Sequence, residues 1–443
     1  MHGQIVLVLV TEQPIWVGSC DLGSRRGAYL RRVLDSMRVV YITMQFPSPT
    51  ETFAGADVRA LLDAGVEVEV YALRQAHEDH DTMLRERGLE GVPVDSLRKR
   101  DLARGIGLAF VHPRWAAALL WWIVRWNMGK PLRFVRCLVL APRALTVFAA
   151  IATRRFDVVH LFWGHYPSMV GHLVQRFLPE VVSSVFLGAY DLDEGRYGSW
   201  LPGSAVVARR ADLVWTHSVT NVPRLLSFGV PKQKLTCVYR GIDLHRFSVQ
   251  ALGDANREPG LVVAIGSLIE RKAVDDVIRV IARVRESTPH VRLRVLGDGP
   301  ERASLRGLAH DLGVDEIVSF DGHVSGDVVA TALARASCFL LMSRNDRIPN
   351  VAKEAMAIGC PVVVTNTPGM DELVTHRRTG YCVAVGDVDG AARHVTAILL
   401  DPTEHAAMTA AARYKVEQDF SVEASMARYV AAWREAVVSR TRR

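Results

Sequence analysis

The sequence predicts an α/β protein built of two Rossmann-like, doubly wound parallel-sheet domains that face each other across a cleft. Three observations carry this expectation. A chain of 443 residues, 49% of them hydrophobic and 23% charged, is long enough for two or three separately cored domains. Its apolar runs are short, rich in β-branched residues and followed by helix-like stretches, as strands buried on both faces require. The alternation stops at a polar, glycine-containing break over 248–260 and then starts again.

Taken in order, residues 39–43 (VVYIT) read as the first strand. A loop over 45–53 leads into a helix with Val58, Leu61 and Leu62 on one face, closed by Gly65, and 66–72 returns as a strand. Further strands are expected at 156–161, 184–187 and 213–216, which carries the first domain from 37 to 247. The second domain, 256–420, has candidate strands at 261–265, 291–296, 317–320, 338–342, 361–365 and 381–383. A last helix in 421–443, with Met426, Tyr429, Val430 and Trp433 at helical spacing, is expected to return to the first domain. Residues 1–36 are expected to lie outside the fold. Their apolar stretch 4–10 lacks a basic leader and runs into Thr11-Glu12-Gln13-Pro14, a poor signal peptide, and Met37 stands two residues before the first strand.

The formal net charge of +7 is mild, but it is unevenly placed. Segment 96–155 carries twelve Lys and Arg and a single acid, Asp101, for a net of +11, which leaves −4 on the rest of the chain. Phe110, Trp115, Trp121, Trp122, Trp126 and Phe134 are interleaved with these cations. A basic, Trp-rich helical stretch suits peripheral contact with an anionic membrane, while a pair of core helices whose arginines reach outward remains open beside it. No nucleic-acid partner is expected, because no recognised binding module accompanies the patch. No uninterrupted apolar run approaches about 20 residues, so no hydrocarbon-spanning helix is expected. Six cysteines lie far apart with no C-x-x-C pair, which excludes a zinc ribbon and reads as reduced thiols in a cytoplasmic protein. His77-Glu78-Asp79-His80 is followed by no further ligand at useful spacing and reads as a solvated loop. G-x-S-x-G, Walker A and G-x-G-x-x-G are all missing, so hydrolase, nucleotidase and dehydrogenase readings lose their anchors.

The second domain holds the chemistry. Residues 261–278 (LVVAIGSLIERKAVDDVI) set Gly266 in a turn after a strand and Lys272 at the start of a helix. VLGDGPE follows at 295–301, and then 343–364 (SRNDRIPNVAKEAMAIGCPVVV), which spaces Asp346 and Glu354 eight residues apart. The loop from Asp346 to Val351 opens the helix bearing Glu354, and a helix N-terminus offers free N–H groups to phosphate.

Together and in this order, these motifs and the stretches 46–74 and 211–247 resemble the retaining glycosyltransferases of family 4, in the exopolysaccharide branch that includes the colanic-acid-type enzymes. The resemblance covers about residues 39–440. It implies the GT-B architecture and transfer of a hexose, with retention, from a nucleotide diphosphate sugar to a glycan or polyprenyl-linked acceptor, with no cofactor or metal required. With the reduced thiols and the basic segment, the expectation is a cytoplasmic enzyme peripheral to the inner face of the plasma membrane. Lys272 would stabilise the departing diphosphate, with Gly266, Ser267, Arg271, Arg347, Pro349, Asn350 and Val351 around it. Glu354 would bind the ribose, and Asp346, Gly369 and His165 would place the sugar. The acceptor would attack on the face the diphosphate leaves, with a phosphate oxygen taking its proton.

Several positions depart from the family pattern. Ser267 stands where an Arg is usual, so one of two diphosphate cations is missing, with Arg271 and Arg347 as candidate replacements. Asp346 replaces a Glu, and Arg347 replaces the Gly that follows it. The G-G-x-x-E element appears as Pro368-Gly369-Met370-Asp371-Glu372, in which Pro368 has no N–H to offer. Phe162 replaces a His at the end of a first-domain strand, which makes His165 the nearest substitute and His160 an expected core histidine. Asp191 keeps the acid of a T-x-H-D element and is expected to orient the acceptor, and the Asp191-Leu192-Asp193 triplet is too short a match to imply a metal. These departures support a second reading, a catalytically weak GT-B scaffold acting as a binding or partner subunit at the membrane.

Overall fold

The structure is a computed structural model that describes residues 32–33, 36–49, 51–192, 202–247, 257–401, 403 and 405–442. The chain divides into two compact units, Met1–Thr216 with Arg224–Val238 and Glu423–Arg443, and His217–Pro223 with Tyr239–Val422.

The first unit holds a parallel sheet of β1 (Arg38–Thr43), β2 (Glu67–Ala72), β3 (Val94–Asp95), β4 (Val158–Phe162), β5 (Val182–Phe186), β6 (Leu213–Thr216) and β7 (Leu235–Cys237). Its order is β3-β2-β1-β4-β5-β6-β7. Val39 pairs with Val68 on one side and Val158 on the other, so the most apolar strands lie at the centre, buried on both faces. The short strands β3 and β7 were not expected from the sequence, where too few residues alternate to mark them.

The second unit repeats the plan with β8 (Leu261–Ile265), β9 (Arg292–Leu296), β10 (Val318–Gly322), β11 (Cys338–Leu341), β12 (Val362–Thr365) and β13 (Tyr381–Val383), in the order β10-β9-β8-β11-β12-β13. In both sheets the chain steps outward over three parallel strands and then returns to the other side of the first, so the strand order switches between β1 and β4 and between β8 and β11. Loops that leave the carboxyl ends of strands diverge at such a switch point and leave a crevice there.

The basic, Trp-rich segment folds as three helices of the first unit, α1 (Lys99–Val111), α2 (Pro113–Asn127) and α3 (Pro131–Thr153). Pro113 and Pro131 each open their helix, where a missing N–H costs nothing. The tryptophans divide between core and surface. Trp122 is fully buried, stacked on His172 and so close to Gly203 that a Cβ there would lie 2.1 Å from its ring. Trp115 and Trp126 are half-buried and Trp121 is exposed. Arg143, on α3, is a buried cation that donates to the carbonyls of Ala72 (2.9 Å) and Asp95 (2.5 Å) and pairs with Asp101 (3.4 Å). By length and composition α3 could cross a membrane, and it is the one such single helix among the described residues; half of its most apolar stretch is nevertheless buried inside the unit.

A polar hub ties the C-terminal helix Val422–Arg442 to the first sheet. The indoles of Trp215 and Trp433 and the Nδ1 of His160 all lie 2.8–2.9 Å from the Ser184 hydroxyl. An indole can only donate, so the hydroxyl accepts twice and gives its own proton to His160 Nδ1. His160 is thus a satisfied core histidine. Phe162, on the same strand, is buried in a stack with Tyr41 and Phe186.

The expectation that residues 1–36 lie outside the fold is corrected for their last part. Val33 is fully buried and Arg32 pairs with Asp157 at 2.6 Å, because Asp157, itself buried, needs a cation. Residues 1–31, the linker 248–256 and Asp193 lie outside the described residues. His77 does not lead a purely looped run either, since His80 opens the helix His80–Glu86.

Replacing Ser184 by Ala leaves two buried indole N–H groups without an acceptor, at about 1–3 kcal/mol each. Chemical denaturation followed by tryptophan fluorescence should show a correspondingly lower stability for Ser184→Ala; an unchanged transition would remove the hub from the forces that hold this helix.

Candidate active site

The site in the second unit is assembled at the switch point between β8 and β11. Gly266 ends β8, and its backbone N–H bonds to Leu296 at 3.0 Å. The glycines of the VLGDGPE motif allow that approach: a Cβ on Gly297 would lie 2.0 Å from the Gly266 carbonyl oxygen, and one on Gly299 would lie 2.4 Å from that of Leu268. This close packing shapes the turn that delivers Arg271 and Lys272.

From β11 comes the second loop, with Ser343 fully buried at its base. The two loops are stitched together by the Arg344 N–H to the Arg271 carbonyl (2.9 Å) and by the Arg271 guanidinium to the Asn345 carbonyl (3.0 Å). At their meeting point Asp346 receives Lys272 Nζ at 2.5 Å on one oxygen, with the Ser343 hydroxyl at 2.9 Å, and Arg271 at 2.7 Å on the other. Burial works to raise the pKa of Asp346, and Lys272 and then Arg271 more than offset it, so the carboxyl sits below its ordinary range.

Arg271 is therefore the cation that joins Lys272 on Asp346. Arg347, the other candidate for the charge missing at Ser267, lies beside His217, whose ring hydrogen-bonds to the Arg347 backbone. Burial, then the cations Arg240, Lys353 and Arg347, push His217 down to about 3, so it is neutral at physiological pH in strongly positive surroundings. Ser267 is half-buried, and its carbonyl accepts from the Ile269 N–H.

Pro349 caps helix α4 (Asn350–Ala357) in an extended conformation, which leaves Asn350 and Val351 in the first turn, where backbone N–H groups have no intrahelical acceptor. Glu354 lies one turn in. Its carboxyl is buried, and that burial pushes it up to about 7 against the opposing pull of Lys353 and Arg246. Lys353 itself is completely buried and donates to the Arg240 carbonyl at 2.6 Å.

Gly369 adopts φ +89, and a Cβ there would meet the Ser218 hydroxyl at 2.9 Å. The reason for this tightness is Glu372, which accepts from the Ser218 hydroxyl (2.5 Å) and from the backbone N–H groups of Val219 (2.8 Å) and Thr220 (3.2 Å). Sequence reasoning noted Glu372 only as the end of a motif. Its partners stand some 150 residues earlier in the chain, so no local signal could reveal them.

His165 belongs to the first unit, whereas the other predicted site residues belong to the second. It follows β4 in a turn that begins with Trp163 at φ +69 and Gly164, where a Cβ would lie 2.0 Å from Leu187. Burial and then Arg74 push His165 down to about 3. Its Nδ1 accepts from the Tyr166 N–H at 2.8 Å, which leaves the proton on Nε2 as a neutral donor. Asp191 does not face outward as an acceptor-orienting group would. It is buried and takes the N–H groups of Gly164 and Gly188, both at 3.1 Å, so it pins the loops after β4 and β5; burial pushes its pKa up to about 7.

Strain marks the same loops. Ala273, directly after Lys272, has φ +49, and Ile348, within the Asp346–Val351 loop, has φ +47. A β-branched residue in the left-handed region costs on the order of 1–3 kcal/mol and persists only where the surroundings impose it, which is typical of ligand clamps.

The fold and site together define a GT-B protein. Residues 251–415 match the family model for glycosyl transferases group 1. The chain is 28% identical over 406 residues to WcaL of Escherichia coli K12, a glycosyltransferase assigned by name to colanic acid biosynthesis, with 87% of this chain and 96% of the relative covered. It is 23% identical over 407 residues to the amylovoran biosynthesis glycosyltransferase AmsK of Erwinia amylovora, with the same coverage of 87% and 96%. The crystal structure of HepE from Anabaena in complex with UDP superposes with a TM-score of 0.66 at 18% identity, covering 89% of this chain and 99% of that one. These findings support a glycosyltransferase.

The raised pKa of Glu354 makes a signed prediction. Below about pH 4.5 the carboxyl is neutral in both folded and unfolded chains, and as pH rises through about 7 the folded state must bury a charge. Its favourable contribution is therefore complete below the lower value and lost at the upper one. Glu354→Gln should unfold at a higher temperature than the parent above about pH 7, and the gap should close below about pH 4.5.

Proposed function

We propose that the protein transfers a hexose, with retention of configuration, from a nucleotide diphosphate sugar to a glycan or polyprenyl-linked acceptor in exopolysaccharide synthesis. The observation that carries this reading is the convergence of Lys272 and Arg271 on one buried carboxylate at the switch point of the second sheet. Two fixed cations beside a helix N-terminus are what a departing diphosphate needs, because negative charge develops there as the sugar–oxygen bond breaks. A diphosphate oxygen that engages Lys272 and Arg271 competes with Asp346 for them, and the carboxylate so released becomes an acceptor for sugar hydroxyls. Arg271 thus takes the place of the cation missing at Ser267, while Arg347, with Arg240 and Lys353, adds to the positive field around the loop.

Glu354, close to neutrality in its buried position, is suited to share hydrogen bonds with ribose hydroxyls. The backbone at Gly369, in the turn before Glu372, supplies a donor on the sugar side. His165, with its neutral Nε2–H, is suited to be a donor to a sugar hydroxyl rather than a cation. The names of WcaL and AmsK support the exopolysaccharide setting, and the UDP in the HepE crystal supports a nucleotide-linked donor.

The test joins binding and turnover. Among UDP, GDP, dTDP and ADP, the matching nucleotide at about 100 times its dissociation constant should stabilise the protein by about 2.7 kcal/mol, and the matching sugar conjugate should give a product with the anomeric configuration of the donor. Lys272→Ala should lower turnover by about 10²–10³. Arg271→Ala should weaken nucleotide binding by about tenfold, more than Arg347→Ala. Nucleotide binding without turnover of any donor would instead assign the chain to the scaffold reading, and an inverted product would overturn retention.

A further inference from the structure

We propose that the outward faces of α1, α2 and α3 form a docking surface for an anionic phospholipid bilayer. Among the described residues, sixteen large hydrophobic side chains are exposed, and ten of them lie between Ile106 and Val139. Ile106 and Phe110 on α1 and Leu132, Val135 and Val139 on α3 fall at helical spacing, and the neighbouring Leu120 and Trp121 are exposed on α2. Phe110 is 83% exposed and Trp121 60%, values that no packed core residue shows. An apolar surface of this kind marks an interaction site.

The charge around it selects the partner. Arg100, Arg104, Arg114, Arg125, Lys130 and Arg136 are exposed among these apolar residues. The segment's one acid does not dilute them, because Asp101 is buried, accepting from the Arg98 N–H at 2.8 Å and pairing with Arg143. The face is therefore apolar and purely cationic at once. A second copy of the chain would set like charges against each other. An anionic leaflet instead meets the cations at its headgroups while the aromatic and aliphatic tips enter the acyl boundary. The buried second half of α3, held by Arg143 beneath the sheet edge, fixes the helix so that only its first half is offered. In a cell this chemistry belongs to the cytoplasmic leaflet, where anionic lipid is concentrated.

Flotation of the full chain with phosphatidylcholine vesicles, with and without phosphatidylglycerol, tests the proposal. Binding should require phosphatidylglycerol and weaken with added salt. The doubly substituted F110S/W121S and R104E/R136E chains should each lose on the order of tenfold in vesicle affinity while keeping the parent's unfolding temperature and nucleotide binding, since all four side chains are exposed and outside the donor site. Failure of the folded parent to float with either vesicle would overturn the proposal, as would unaltered binding by both variants. Sedimentation showing a dimer that F110S/W121S dissociates would assign the face to self-association instead.

Discussion

One buried carboxylate organises the switch point of the second sheet. Asp346 is removed from water, yet Lys272, Arg271 and the Ser343 hydroxyl hold it ionised. Its two cations come from the loop after β8 and it comes from the loop after β11, so the ion cluster bridges the point where the sheet reverses. Without it, two adjacent cations on the β8 loop would lack a counter-charge, and only hydrogen bonds would join that loop to the one after β11. The strained φ values at Ala273 and Ile348 are tolerable for the same reason, because the cluster and the Arg344–Arg271 and Arg271–Asn345 hydrogen bonds over-determine the backbone on either side.

The two units handle buried polarity in different ways. In the first, beside the ion pairs of Arg143 and Asp157, several groups held neutral or close to it are satisfied by hydrogen bonds. Ser184 serves two indoles and an imidazole, Asp191 is pushed towards neutrality while it ties two loops, and His165 is kept uncharged by burial. In the second, charges are concentrated: Arg240, Lys353 and Arg347 act together on His217, and Lys272 and Arg271 act on Asp346.

Segment 99–153 shows how one sequence pattern serves two ends. A helix has room on its circumference for both a core face and a surface face, so consecutive tryptophans can have opposite fates. Trp122 fills the space that Gly203 leaves, while Trp121, turned by about 100° on the same helix, is exposed. Arg143 is likewise a core residue among arginines that are mostly exposed, because two carbonyls and Asp101 await it.

The strand–helix alternation, the positions of the central strands and the motif residues Lys272, Asp346, Glu354 and Gly369 can all be read from the amino-acid order. These are written in local periodicity and short spacings, which act over a few residues. The sequence missed β3 and β7, whose two and three residues are too few for a period, and it could not tell Arg271 from Arg347 as the second cation. Only the tertiary structure decided that Arg271 shares Asp346, that Glu372 closes on Ser218 and its neighbours, that Asp191 turns inward, and that Val33 belongs to the core. Each of these depends on a partner brought close by the packing of distant segments, and the energy of a buried charge or hydroxyl is set by that partner rather than by its neighbours in the chain.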